Sequence, residues 1–399
     1  MTKKNFYRKK LKNGMTLLFE KRDIPVTTVC FATKYGSAYE SIEQKGIAHF
    51  IEHMVFKGTR KRTAEQIAAE LEKIGGELNA FTSDEFTGFH VKLPSRYLNK
   101  GIDVLSDIFF SPLIDEQEME KERKVILEEM KIYHDDPQKY VFDKIRELSY
   151  KKPFGISPIG TVETLSKMHR QHLVKEHSRN YTPSNTILCV VGNNEIDEIV
   201  RLAEKLKVKN IEVENKVKPE RINEKCIEKR KGIHQSNLML SLPSVKATDK
   251  LRYAVQAFAT ILGEGMSSKL FKEIREKRGL AYAVKSFFDC GRDYGNVLFY
   301  VGTEKGKEEE VKELVIKEIR KMKDLPEKEM KEVKEQLIGS YETAQEDSRN
   351  VCFNLILDEI CGGAEEYYMF VENIKKIRLD EIRNLADFKD YSYIALVPE

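Results

Sequence analysis

Apolar and polar positions alternate along this chain in two periods, and the periods take turns. Residues 6–20 read as a strand, a turn at Asn13-Gly14 and a second strand. Val26 to Tyr35 is a β-rich apolar run, the mark of a central strand. A helical stretch follows at Gly46–Met54, then a helix N-capped by Thr63 with Gln66 three residues on, stopping at Gly75-Gly76. Glu77–Thr82 and Glu85–Leu93 are expected to be strands joined near Ser83-Asp84. Helices are expected from Pro94 to Phe110, from Asp115 to Tyr133, on to Tyr150, and around Val162–Tyr181. A Pro/Gly-rich loop lies at 153–160. A strand at Thr186–Val191 and a helix from Glu195 to Leu206 complete the half.

The second half runs through the same order. Strands are expected at Asn237–Leu242, Ala281–Asp289, Asn296–Gly302 and Tyr393–Val397, with helices between them. Ala64–Pro94 and Ser268–Thr303 share helix, glycine, strand, turn, strand, and Glu118-Met119 and Glu329-Met330 open matching long helices. The expectation is an α+β fold of two duplicated domains, each a mostly antiparallel sheet with helices packed on one face. The boundaries are 1–210 for the first domain, 211–225 for a polar linker and 226–399 for the second.

A length of 399 residues is too great for one core, which agrees with two domains. Hydrophobic residues make up 41% and charged ones 33%, a globular balance. With 68 basic against 65 acidic residues, a net charge of +3 points to neither nucleic acid nor an anionic membrane. The polar N-terminus leads into no apolar run, and no apolar stretch reaches the roughly 20 residues a spanning helix needs. The six cysteines are scattered without a CxxC, as reduced core thiols would be, so a cytoplasmic protein is expected.

The chemistry concentrates in Gly46-Ile47-Ala48-His49-Phe50-Ile51-Glu52-His53-Met54. On a helix, His49, Glu52 and His53 fall on one side while apolar residues cover most of the rest. Two imidazoles one turn apart suit Zn²⁺, and a carboxylate beside the metal can act as a base. A catalytic zinc wants a third protein ligand and an open position. On the long helix, Glu122 and Glu129 are two turns apart and differ by about 20° around the axis. Val125 and Ile126 lie between them, which makes a stripe pointing inward, while Glu128 falls to the exposed side. Glu129 is therefore the expected ligand and Glu122 its neighbour that orients a histidine. His90 and His134 are the rivals. The second half holds only His234 of the eight histidines, and Val333 and Ser340 stand where Glu122 and Glu129 would repeat, so one copy carries the metal site.

At this point the chain resembles the pitrilysin and mitochondrial-processing-peptidase family of inverted-motif zinc peptidases. The likeness runs through His49-Phe50-Ile51-Glu52-His53, Gly75–Thr82, Glu122–Met130, Tyr181–Asn185, Val190–Asn193, Gly265–Phe271 and Arg275–Tyr282. It implies a clam-like metallopeptidase half with one Zn²⁺ per chain, held by His49, His53 and Glu129. Glu52 would be the general base. Asn79, Ala80 and Phe81 would belong to an edge strand that binds an extended peptide. Arg275 and Tyr282 would reach substrate and the tetrahedral intermediate; on the residues alone, Arg275 reads as a solvated helix charge and Tyr282 as a strand-core aromatic. The resemblance implies an endopeptidase acting on unfolded segments or short peptides, working as a homodimer or, alternatively, a heterodimer. The other readings are a non-catalytic or partner-dependent subunit of a heterodimeric processing peptidase, and a zinc enzyme of another class such as a deaminase. The edge strand and duplicated build speak against the last.

Overall fold

The computed structural model describes residues 5–399; the first four residues, where the polar N-terminus begins, lie outside the described residues. In chain order the first elements are β1 (Phe6–Lys10), β2 (Thr16–Lys21), β3 (Val26–Thr33), α1 (Ile47–Val55), α2 (Ala64–Glu72), β4 (Glu77–Thr82) and β5 (Thr87–Pro94). Then come α3 (Leu98–Phe110), α4 (Glu116–Asp135), α5 (Pro137–Ser149), α6 (Val162–Lys167), α7 (Arg170–Asn180), β6 (Thr186–Gly192) and α8 (Ile196–Glu204). The later elements are β7 (Lys225–Arg230), β8 (Gln235–Pro243), α9 (Arg252–Gly263), β9 (Ala281–Cys290), β10 (Gly295–Glu304) and α10 (Glu308–Lys321). The chain ends with α11 (Glu327–Ala344), α12 (Ser348–Cys361), α13 (Phe370–Lys376), α14 (Leu379–Asn384) and β11 (Ser392–Pro398).

The fold class is α+β, with two sheets. The first runs β1-β2-β6-β3-β5-β4 and the second β7-β11-β8-β10-β9. In each, the last strand of the sheet (β6 or β11) lies antiparallel to the first central strand (β3 or β8) and parallel to the strand on its other side (β2 or β7). The two topologies match strand for strand apart from β1, as a duplication requires. β7 is absent from the sequence reading. Its residues, Lys-Cys-Ile-Glu-Lys-Arg, alternate exposed and half-buried on an edge strand, so they carry too little apolar content to announce themselves.

The compact units divide within the expected linker, between Val217 and Lys218, but each also takes a segment from the other half of the chain. One unit is residues up to Glu129, Pro158–Val217 and Ala344–Tyr368; the other is Met130–Ser157, Lys218–Thr343 and Met369–Glu399. The reason is an exchange of helices. α3 covers one face of the first sheet, through pairs such as Phe31 and Phe109 with ring centres 5.7 Å apart. α12, from late in the chain, covers the other face: Thr28 and Ser348 share a hydrogen bond of 2.8 Å, and Cys352 lies on the carbonyl of Cys189, opposite Cys30 in the ladder. In the second sheet, Leu240, Phe299 and Val301 join the core formed with α9, α10 and α11. Met239, Leu298, Tyr300 and Ile394 face the other way, onto Val141 and Ile145 of α5. Each sheet is thus clothed on both faces, not one, and each second-face helix comes from the other half of the sequence. No helix among the described residues is long and apolar enough to cross a membrane.

Candidate metal centre

The helix that carries the motif is seated before it begins. Gly46 takes φ 94° at the N-cap of α1, and a Cβ there would stand 2.6 Å from the Ile159 carbonyl oxygen, so no larger residue fits. The Pro/Gly-rich loop is the surface it meets. Glu40 then accepts the N–H groups of Gly46 (2.9 Å) and Ala48 (2.7 Å), donors that a helix start leaves orphaned. Lys45, wholly buried, lies 3.7 Å from Glu40 and donates to the Ser37 carbonyl at 2.5 Å. Ile47, Ala48, Phe50, Ile51, Met54 and Val55 are all buried, which turns His49, Glu52 and His53 to the one remaining side.

α4 brings the carboxylates. Glu129 Oε2 lies 3.7 Å from His49 Nε2 and 3.6 Å from His53 Nε2. These separations exceed hydrogen-bond reach. They match the edge of a tetrahedron of ligands about 2.1 Å from a common centre, which is about 3.4 Å. His49, His53 and Glu129 are the cation-holding group found among the described residues. Glu122 sits behind them: its Oε2 is 3.0 Å from His53 Nδ1, and its Oε1 is 2.6 Å from Lys57 Nζ. That carboxylate holds the proton of His53 on Nδ1 and so turns the lone pair of Nε2 toward Glu129. His49 Nδ1 is buried without a hydrogen-bond partner. Two imidazoles, in their neutral form, and a carboxylate would make a donor set suited to zinc.

The electrostatics follow from burial and crowding. Burial, and then the neighbouring His53, depress the His49 pKa to about 4, so it is neutral near pH 7. Burial lowers His53 as well, but Glu129 and Glu122 outweigh it and the net shift is upward. Burial raises the pKa of Glu52, against the hydrogen bond it accepts from Thr82. That bond, Thr82 Oγ1 to Glu52 Oε2 at 2.5 Å, ties the base position to the end of β4.

β4 is an end strand of its sheet, so Asn79, Ala80 and Phe81 lie on an open edge. The Asn79 side chain accepts the Ala80 N–H at 2.8 Å. The Phe81 ring packs on Phe353 of α12, 4.8 Å between centres. On α4, Ile126 is buried and Glu128 exposed, but Val125 is 49% exposed, so the inward stripe is Met119, Glu122 and Ile126. His134 is exposed beside Asp135, and His90 is buried against Phe353; neither joins the cluster. In the second unit, Arg275 donates to the Tyr282 carbonyl at 2.7 Å, and both side chains are exposed. Glu40, Lys45, Lys57 and Thr82 were not singled out from sequence. Only Thr82 carried a signal, as the last residue of the motif-bearing strand.

The chain is similar to known proteins over nearly its whole length. Residues 17–162 match the family model described as Insulinase (Peptidase family M16), and residues 167–337 match that described as Peptidase M16 inactive domain. An uncharacterized zinc protease of Rickettsia felis is 37% identical over 395 residues, covering 96% of this chain and 95% of its own length. The uncharacterized zinc protease YmxG of Bacillus subtilis is 32% identical over 378 residues, 91% of each chain. A solved protease from Helicobacter pylori shares the fold, with a TM-score of 0.92 at 24% identity over 98% of this chain and 99% of that one. A likeness at 37% identity that runs almost from end to end is more than a shared motif, and it places the chain in peptidase family M16, among the zinc proteases.

Proposed function

We propose that this chain is an endopeptidase of unfolded segments and short peptides, with His49, His53 and Glu129 as zinc ligands and Glu52 as the general base. The observation that carries the reading is the meeting of three elements: the ligand cluster, Glu52 beside it, and Thr82 binding Glu52 from the end of an open strand edge. Bound there, zinc supplies Lewis acidity that brings the pKa of a water to about 7 and polarises a carbonyl. Glu52 takes the proton and returns it to the departing amine. Glu122 keeps His53 in the ligating tautomer. An extended peptide adds to β4 through main-chain hydrogen bonds, which asks for little side-chain sequence and excludes folded substrates. That addition displaces the Asn79 side chain from the Ala80 N–H. By the resemblance, Arg275 and Tyr282 stabilise the developing oxyanion. A homodimer located in the cytoplasm is part of the same reading; a heterodimer with a second family member is the alternative.

A quenched unstructured peptide tests the proposal. Chelator should abolish cleavage and added zinc restore it. Glu52→Gln should lower kcat/KM by about 10²–10⁴-fold while zinc stays bound. Glu129→Gln should lose zinc on dialysis, because a weak neutral ligand replaces a charged one. Parent-like cleavage by Glu52→Gln would remove the base assignment. Full zinc occupancy in Glu129→Gln would remove the ligand assignment.

A further inference from the structure

One corner of the second unit combines two backbone irregularities. β9 and β10 pair in register up to Gly302 opposite Ala283, and the ladder then slips so that Thr303 faces Ala281. Tyr282 is the extra residue. Counting back along β9 from Val284, which is in the core, strict alternation would send Tyr282 into the core and Ala281 away from it. The slip reverses this: Ala281 is packed in the core and Tyr282 is 51% exposed. Bulges do this elsewhere, re-aiming one side chain.

The re-aimed ring lies against Gly302. A Cβ added to Gly302 would stand 2.5 Å from Tyr282 Cε1 and 3.2 Å from its hydroxyl oxygen. Gly302 has no left-handed φ, so space and not backbone freedom requires glycine there. At the far end of the ring is Tyr300, whose hydroxyl donates to Asn237 Oδ1 at 2.7 Å. Burial, and then a hydrogen bond with Tyr282, keep the Tyr300 hydroxyl protonated well beyond the usual phenol range.

The backbone of Tyr282 is also tied. Its carbonyl accepts from Arg275 Nη1. Arg275 comes from Phe271–Glu276, wound as a π-turn with the Lys277 N–H on the Lys272 carbonyl at 2.9 Å, and its guanidinium lies 4.8 Å from the centre of the Phe271 ring. A π-turn adds a residue to a helical turn and so resets the direction of the side chains after it. The π-turn and the bulge meet at a single hydrogen bond.

We propose that Gly302 is a positioning residue for Tyr282: its missing side chain lets the phenol lie flat across β10, and that pose holds Tyr282 and Arg275 as one substrate-contacting pair. This rests on the reading that the pair touches the peptide. The test is Gly302→Ala, alone and in a Tyr282→Ala background. The clashing atoms are the free end of a side chain that can swing, so the fold and zinc content should be retained. kcat/KM should fall on the order of ten- to a hundred-fold, chiefly in kcat, the scale of a misplacement near 1 Å. In Tyr282→Ala, the same substitution should add nothing, because the residue it acts through is gone. If Tyr282→Ala itself cleaves like the parent, the substrate-contact reading falls. If Tyr282→Ala is slow but Gly302→Ala is as fast as the parent, or slows both backgrounds equally, the positioning role falls and the contact reading stands. If Gly302→Ala does not fold, Tyr300→Phe probes the same pose from the hydroxyl end. It should slow cleavage in the parent and not in Tyr282→Ala; an equal effect in both overturns the proposal.

Discussion

His49 and His53 are separated by one helical turn, and Glu129 by most of a domain, yet all three could be named from sequence. The histidines declared themselves because ionisable groups on one face of an otherwise apolar helix need a binding reason. Glu129 followed from its two-turn spacing to Glu122. Buried His177 declared nothing. Its Nε2 donates to the Phe109 carbonyl at 2.9 Å, and burial depresses its pKa from 6.5 to about 4. The folded state therefore binds fewer protons than the unfolded chain between these values. The stability this represents is complete above pH 6.5, is lost as pH falls toward 4, and amounts to about 3 kcal/mol. Urea unfolding at pH 7 and pH 4.5 should show that loss. His177→Gln, which keeps a donor for Phe109 but does not titrate, should flatten the difference; an unchanged pH dependence in the variant would remove His177 as its cause.

At the scale of elements, α1 shows how much of a site lies outside its motif. Its entry is held by Glu40 and Lys45, a fully buried pair in which Glu40 also accepts the backbone donors at the helix start. Burial lifts the Glu40 pKa to about 7, opposed by Lys45 and the two N–H groups. Removing one member of such a pair strands the other charge in the interior. Glu40→Ala should cost about 3–5 kcal/mol in denaturant unfolding and weaken zinc retention by loosening α1. A midpoint equal to the parent's would show that Lys45 finds another partner. Nothing in the stretch from Gly36 to Lys45 foretells this pairing, since side chains four to eight positions apart in an irregular loop have no periodicity to read. The strands and capped helices were legible by contrast: the capping box of Thr63 and Gln66 forms as its letters suggest.

For the whole molecule, duplication was visible and its execution was not. α5 and α12 are exchanged between the halves. Val351, Cys352, Leu355 and Ile356 of α12 are fully buried. Each large aliphatic among them contributes about 1.5–3 kcal/mol by its burial. A fragment 1–210 lacks α12 and a fragment 226–399 lacks α5, so each leaves a sheet face bare. Expressed alone, either should aggregate or bind a hydrophobic dye strongly; expressed together, they should recover a soluble complex. A soluble, cooperatively melting 1–210 fragment would contradict the exchange.

By itself the sequence determined most of the element types, the twofold repeat of their order, and the grouping of His49, His53 and Glu129. These rest on local period, capping and spacing along single helices, which neighbouring letters encode. Tertiary structure alone decided which helix clothes which sheet, what anchors the metal helix, and the pose of Tyr282 over Gly302. Those depend on contacts between residues far apart in the chain or on a one-residue slip of register, and neither leaves a periodic trace.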